Sequence, residues 1–192
     1  MLEGLGHDVE PGSPAALADE SVSARFMALW ATQMAMAAAG FGATLGRELG
    51  EDDMEPVNWI QVQYAKQLSA VDLATAQAAS YAFRREVQQW WTEGWDLLLT
   101  PTLGEPAPLL SEFAPVDGDP SAQMRRAGRF CPFTPAFNMS GQPAISLPLH
   151  WNADGLPIGV QLVAAYGRED VLIRVASQLE QSNPWKDKHP EI

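Results

Sequence analysis

The stretch FTPAFNMSGQPAISLPL, residues 133–149, comes nearest in this sequence to the residue types and spacing of an active site. Ser140 is followed by a glycine and then by an apolar run that predicts a strand. A catalytic serine needs a general base within hydrogen-bond reach and donors for the oxyanion. No lysine or histidine lies close to Ser140 in the sequence. Because Ser, Gly and Pro together are typical of turns, we interpret Ser140 as support for a site and assign no catalytic residue.

Other common forms of site chemistry are missing from the sequence. It contains no G-x-S-x-G nucleophile elbow, no P-loop and no G-x-G-x-x-G. The three histidines, His7, His150 and His189, stand apart and lack the spacing of metal ligands. The one cysteine, Cys131, rules out an internal disulfide and a cysteine-based zinc site. We therefore expect neither a metal nor another cofactor.

Charge and composition exclude several classes of protein. The net charge of −12, from 24 acidic against 12 basic residues, argues against nucleic-acid binding, which needs a basic patch. The hydrophobic content of 46% is enough for a packed core. The segment from residue 26 to 46 is uncharged, but its many Ala and Gly residues favour a buried helix over a membrane span. The single cysteine and the absence of a secretory signal predict a cytoplasmic protein.

Capping and periodicity signals predict a helix-rich first part. A capping serine and proline open a long helix at residues 13–14, which is interrupted around residues 19–21 and runs to about Ala39. Pro56 opens a second helix that runs to about Gln67. Ser69 has the capping-box spacing for a third, which Gly94 ends.

The second part reads as strands, a long loop and a final helix. WDLLLT predicts a buried strand, and residues 101–135 read as a loop with a short helix near 123–127. Strands at 144–149 and 158–164 flank an Asp-Gly hairpin signal, and a helix follows over about 168–181. This order predicts an α/β fold, part of a mixed central β-sheet flanked by α-helices. We predict one partial domain over residues 1–192, with a helical subregion at 13–94 and a strand, loop, hairpin and helix subregion at 95–185.

Three segments together resemble the C-terminal part of the amidase signature family. WDLLLTPTL is similar to the family's strand that ends in Thr-Pro-Thr, and FTPAFNMSGQPAISLPL to its F-T-x-x-x-N-x-[ST]-G-x-P-A-[IL]-S-x-P segment. GLPIGVQLVAAYGREDVLIRVASQLEQSNPW is similar to its closing hairpin and helix. TPTLGEPAPLLSEF resembles the branch that holds cyclic-oligoamide hydrolases and related small-molecule amidases.

The resemblance implies hydrolysis of carboxamides by a Ser–cis-Ser–Lys triad through an acyl-enzyme. In the family the triad lies on a glycine- and serine-rich stretch of the N-terminal portion. This sequence has no Gly-Ser-Ser-Gly and no Gly-Gly-Ser, so no triad member can be carried over. We therefore expect the chain alone to be inactive on amides.

The resemblance also suggests which residues contact a substrate. In amidotransferase relatives the position of Cys131 resembles one where an acid contacts a substrate ammonium group, so the thiol disfavours a cationic substrate. Cys131 with Phe133 and Phe137 would form an apolar pocket wall, or would simply pack in a core. Asn138, Gly141 and Pro143 are interpreted as structural turn residues beside it.

The leading interpretation is the C-terminal part of an amidohydrolase that acts on small-molecule amides. Its partners would be the amide substrate and an N-terminal catalytic half, with no nucleic acid and no membrane; a homodimer is left open. One alternative is a non-catalytic binding or assembly module, or a split-enzyme half, derived from the fold. Another is a fragment of an amidotransferase A-type subunit, against which Cys131 and the Pro-rich loop count. A split enzyme predicts open strand edges and an exposed apolar face, whereas a binding module predicts a satisfied surface.

Overall fold

The computed structural model describes residues 1–19 and 21–190, and of residues 22–25 it describes the helical backbone alone. The first half of this described part is helical, and the second half combines three strands with helices. The helices are α1 (Ser21–Leu45), α2 (Pro56–Gln67), α3 (Ala70–Gln89), α4 (Ala122–Phe130), α5 (Pro135–Ser140) and α6 (Glu169–Ser182); the strands are β1 (Leu97–Pro101), β2 (Ala144–Trp151) and β3 (Pro157–Ala164).

The chain forms two compact units, each built from separate segments. Unit 1 comprises Met1–Asp19, Arg84–Ala107 and Cys131–Ile192. Unit 2 comprises Glu20–Phe83 and Pro108–Phe130. The sheet and α6 therefore belong to unit 1, and α1, α2 and α4 to unit 2.

Unit 1 is organised around a three-stranded antiparallel sheet in the order β1-β3-β2. Leu162 on β3 is paired with Leu99 on β1 and with Ile145 on β2, so all three point to the same face. On that face α6 packs against β2 and β3 through buried side chains such as Leu172 and Leu179. The α/β class is thus confirmed, but every strand pair in this sheet is antiparallel, and the expected mixed sheet is not formed within the described residues.

The hairpin between β2 and β3 confirms the Asp-Gly signal. Asn152 Oδ1 accepts hydrogen bonds from the backbone N–H groups of Asp154 (3.0 Å) and Leu156 (2.8 Å). Gly155 has a φ of 73°, which a residue with a side chain adopts with strain. The side-chain amide of Asn152 and the glycine together set the turn that pairs the two strands.

Unit 2 is built around α1, which packs against α2. Ala28 and Ala31 of α1 are 7% and 0% exposed, so the buried face of this helix is made of small residues. The larger side chains Trp30, Phe41 and Leu45 are 44%, 66% and 61% exposed. The prediction of a buried helix here is therefore wrong for this chain, in which α1 is mostly exposed.

Among the described residues, α1 is the helix that satisfies the length and composition of a membrane span. Its stretch Phe26–Leu45 has a mean hydropathy of 1.2 and is 17% buried. Core helices of soluble proteins meet the same two criteria, so they do not by themselves indicate a membrane.

Several boundaries differ from those predicted. The helix predicted after residues 13–14 forms as one short 3-10 helix, Ala15–Ala18, and then as α1, which extends past residue 39 to Leu45. Position 20, within the predicted interruption, lies outside the described residues. The long loop holds a 3-10 helix, Leu110–Phe113, and its short helix is lengthened to nine residues in α4.

Candidate substrate-pocket wall

Residues 131–143 form a short helix and a turn that lead into β2. Pro135 is the first residue of α5, where its missing N–H costs no hydrogen bond. The helix ends at Gly141, whose φ is 75° and whose N–H donates to the Phe137 carbonyl at 2.8 Å. Asn138 is exposed and lies inside this helix rather than in the turn, whereas Pro143 directly precedes β2. The predicted turn is therefore centred on Gly141 alone, after one and a half turns of helix.

The three residues assigned to the pocket wall differ in their exposure. Cys131 and Phe133 lie before α5 and are half-buried, so each keeps part of its surface accessible to a ligand. Phe137 lies within α5 and is 5% exposed. In this chain Phe137 therefore packs as core, and a pocket wall formed by these residues stays a prediction.

Ser140 lacks the environment that a nucleophile requires. It is 0% exposed, and its Oγ has no hydrogen-bond partner among the described residues. A serine nucleophile needs a base in hydrogen-bond contact and access to the substrate, and Ser140 has neither here. Lys66, which could serve as such a base by type, pairs with Glu48 at 3.4 Å in unit 2. The geometry agrees with the interpretation of Ser140 as a structural residue.

The turn at Gly141 is anchored by residues that sequence patterns did not identify. Gln142 is 6% exposed, and its Nε2 donates to Gln88 Oε1 at 3.1 Å. The same oxygen accepts the backbone N–H of Tyr166 at 3.3 Å. Arg84 lies over the ring of Tyr166 at 4.3 Å and beside Gly141. Both Arg84 and Gln88 lie near the end of α3, about fifty residues before the turn, so no local signal could have connected them to it.

Polar side chains from the three motif segments meet on the sheet face opposite α6. Gln161 is 4% exposed, and its Nε2 donates to Thr100 Oγ1 at 3.0 Å. Thr102 Oγ1 and Ser146 Oγ are 2.7 Å apart, above Gly159 of the strand between them. These bonds tie the Thr-Pro-Thr segment to the hairpin, and so fix the end of β1 relative to β2.

Among the described residues, none of the groups with a shifted pKa belongs to residues 131–143, and most of these groups form ion pairs. In unit 2 the pKa of Glu112 is lowered, mainly by a hydrogen bond of 2.8 Å that Arg126 donates to its carboxylate. At the start of α6, Arg168 lowers the pKa of Asp170 in the same way.

His7 Nε2 lies 2.8 Å from Gln178 Oε1, a structural contact between the N-terminal segment and α6. Within the described residues no group of His, Cys, Asp and Glu has the arrangement of a metal site. Cys131 and Phe133 can contact an apolar group of a ligand. The described residues assemble no set of side chains that could transfer a proton.

Comparison with known proteins identifies relatives over the whole chain. The family profile described as "Amidase" matches residues 1–173. The 6-aminohexanoate-cyclic-dimer hydrolase of a Pseudomonas species is 39% identical over all of this chain and 40% of its own length. A putative amidase AmiC of Mycobacterium tuberculosis is 34% identical over 98% of this chain and 39% of its own.

The solved structures agree with the sequence comparison. A structure of 6-aminohexanoate cyclic dimer hydrolase superposes with a TM-score of 0.90 and 38% identity, covering 99% of this chain and 40% of that one. The chain thus spans about 40% of the length of the curated relatives it matches.

Proposed function

Because this chain belongs to the amidase signature family and corresponds to the C-terminal portion of its domain, we propose that it is the supporting part of an amidohydrolase. In that enzyme the chain extends the central sheet and walls the acyl side of the substrate pocket. The residues that handle protons are supplied by a catalytic part that this chain does not contain. The reaction is hydrolysis of a small-molecule carboxamide through an acyl-enzyme.

The observation that carries this proposal is the incomplete sheet of unit 1. β1 and β2 are its outer strands, so each leaves one edge without a strand partner in the described residues. Leu99 in the middle of β1 is 47% exposed, although its cross-strand partner Leu162 is 1% exposed. An open edge beside an uncovered apolar side chain is what a further strand and its covering helix would complete. A mixed sheet would arise if the added strand were parallel to β1.

The relatives support a small amide as the substrate class. The Pseudomonas relative acts, by its name, on a cyclic dimer of 6-aminohexanoate, which is a cyclic amide. Half-buried Cys131 and Phe133 offer an apolar, uncharged surface, which suits the methylene chain of such a substrate better than a cationic group. The wall of the pocket would then orient the acyl chain while the catalytic part attacks the amide carbon.

Complementation tests the proposal. This chain is co-expressed with the part of the Pseudomonas hydrolase that it does not match, and the purified mixture is assayed on the cyclic dimer and on an aryl amide. We expect hydrolysis from the mixture and none from either part alone. A control partner whose nucleophilic serine is replaced by alanine should assemble without activity. Hydrolysis by this chain alone, or a mixture that neither assembles nor reacts, would refute the proposal.

A further inference from the structure

We propose that an apolar stripe on α1 is a second surface that binds the same catalytic part. This α1 stripe consists of Trp30, Met34, Phe41 and Leu45. The inference rests on the proposed function and adds to it a contact in unit 2, separate from the sheet edge in unit 1. The occupant of the stripe is the catalytic portion of the amidase domain.

The four side chains of the α1 stripe lie on one side of the helix. At about 100° per residue, positions 30, 34, 41 and 45 fall within a sector of about 60°. Trp30, Phe41 and Leu45 are 44%, 66% and 61% exposed, and Met34 is half-buried. The ring of Phe26 packs edge-on against Trp30 with centroids 5.3 Å apart and extends the stripe toward the start of the helix. Together they form an apolar surface along about five turns of α1.

The packing of α1 within unit 2 leaves its larger side chains outside. Over residues 26–45 its buried positions are the small residues Ala28, Ala31 and Gly42, on the side of the helix at about 100–160° from Trp30. A surface helix normally buries its largest apolar residues and exposes polar ones. α1 instead buries alanine and glycine and exposes tryptophan, phenylalanine and leucine. Since it carries no charged residue from Phe26 to Leu45, a second apolar surface is needed to cover it.

A lipid bilayer does not suit this helix as the covering surface. α1 packs along α2, which buries the polar side chain of Gln61 and carries Lys66 in a salt bridge with Glu48. Crossing a bilayer would require α1 to leave α2 or to take these polar groups into hydrocarbon, where each unsatisfied group costs several kcal/mol. The α1 stripe lies on one side of the helix; Met36, which is 69% exposed, lies about 120° from Trp30 and is not part of it.

The lengths of the relatives favour the catalytic part over a second copy of the chain. In the cyclic dimer hydrolase structure this fold recurs with a TM-score of 0.90 within a chain of which it accounts for 40%. The remainder of that longer chain is therefore protein that belongs to the same molecule as the helix equivalent to α1. A second copy would bring together two chains of formal charge −12 each, and this self-repulsion opposes a homodimer.

A binding measurement with surface variants tests the inference. The partner is the part of the Pseudomonas hydrolase that this chain does not match, and its affinity for the wild-type chain is compared with that for Phe41→Gln/Leu45→Gln. Gln keeps helix propensity while it removes apolar surface. We expect binding to weaken at least about 10-fold. Val71→Gln is the matched control, because Val71 is also an apolar helix residue of unit 2 and is 73% exposed; it should bind as the wild type does.

Two further measurements test the α1 stripe without depending on whether a variant folds, and test the other possible occupants. Hydroxyl-radical footprinting of the wild-type chain needs no variant, and Phe41 and Leu45 should lose labelling on binding while Val71 does not. Light scattering and flotation with phosphatidylcholine/phosphatidylglycerol vesicles test the chain alone.

The outcomes separate this inference from the proposed function. If the α1 stripe variant binds as the wild type does and footprinting shows no protection, while Leu99→Lys weakens binding, the stripe is refuted and the proposed function stands. Loss of a homodimer or of vesicle binding in the stripe variant would assign the stripe to that other occupant and refute the inference. No binding by the wild-type chain would refute both.

Discussion

At the scale of single residues, Gly159 explains how two strands that are not neighbours make a side-chain contact. β3 lies between β1 and β2, yet Thr102 Oγ1 and Ser146 Oγ are 2.7 Å apart. They meet above Gly159 because that residue has no side chain there. A Cβ added to Gly159 would lie 2.8 Å from both hydroxyl oxygens.

We therefore predict that Gly159→Ala destabilises the chain by about 1–3 kcal/mol, the usual cost of overpacking a tight site. The new methyl group would force the two hydroxyl groups apart and break their hydrogen bond. Urea unfolding followed by circular dichroism measures the loss. Gly40→Ala is the control: it lies in α1 with nothing within 4 Å of the added Cβ, and should be neutral or stabilising. Equal stabilities of Gly159→Ala and wild type would contradict the packing argument.

Ser140 gives a second test at the residue scale. Its hydroxyl is fully buried and has no partner in the described residues, and an unsatisfied buried polar group costs about 1–3 kcal/mol. We predict that Ser140→Ala leaves stability unchanged or raises it by up to about 1 kcal/mol. The same variant should retain the activity of the complemented enzyme, since Ser140 is not its nucleophile. Thermal unfolding and the amide assay check both parts, and loss of hydrolysis in a folded variant would overturn the structural role.

At the scale of elements, Arg126 makes contacts that hold the segment 108–130 together. Its guanidinium lies 5.0 Å from the ring centre of Phe113 and 5.9 Å from that of Phe130, and it binds Glu112 at 2.8 Å. Asp119 pairs with Arg125 in the same segment. The rings of Phe113 and Phe130 also pack edge-on with centroids 5.7 Å apart, so a stretch that reads as an irregular loop is ordered by two contacting rings and a cation beside them.

This arrangement predicts a pH dependence. The hydrogen bond from Arg126 lowers the pKa of Glu112 from its usual 4.5, so the carboxylate stabilises the folded segment above pH 4.5. That contribution is lost as the pH falls through the lowered pKa of the folded state. We predict faster amide hydrogen exchange in residues 108–130 as the pH is reduced below 4.5, after correction for the intrinsic rate. Glu112→Gln should reduce the effect and leave the part that comes from Asp119, whose pKa is lowered by a hydrogen bond from Arg125; exposed Glu180→Gln should leave the whole effect in place.

Local signals predicted the elements whose ends are set by local chemistry. Pro56 opens α2 as expected, and Ser69 and Asp72 form the predicted capping box, with reciprocal hydrogen bonds of 2.9 and 3.1 Å. Gly94, with a φ of 104°, ends the helical stretch. In contrast, the sequence of α5 predicts a turn, because its six residues include proline, asparagine and serine. The turn that follows it is held by a hydrogen bond from Gln142 to Gln88, from a distant part of the chain that no sequence window contains.

At the scale of the whole molecule, the sequence identified the family but not the division of the chain. The chain passes from one unit to the other at residues 19–20, 83–84, 107–108 and 130–131. α3 continues through one of these points without interruption. Since hydrophobic periodicity reports only that a face is apolar, it could not show that α1 leaves its large side chains uncovered. Cys131 and Phe133 were selected through the resemblance, and their accessibility follows from their place before α5 rather than from their type.

The open edge of β1 gives the last prediction. Leu99 is 47% exposed at the middle of an outer strand, so a lysine there can reach water in this chain. We expect Leu99→Lys to destabilise the chain by no more than about 1 kcal/mol, because about half of the side chain is already exposed. A charge at a strand edge opposes the addition of another strand, so binding of the catalytic part should weaken at least about 10-fold.

Titration calorimetry with the catalytic part of the Pseudomonas relative measures this effect, and the amide assay should show a matching loss. Leu110→Lys is the control, since Leu110 is 94% exposed in unit 2 and lies outside both the sheet and the α1 stripe. If the two lysine variants bind equally well, the partner does not add to the sheet at β1, and unit 1 must meet it elsewhere. If Leu99→Lys alone is weakened, the apolar side chain that unit 1 leaves uncovered is buried where the two parts of the amidase domain join.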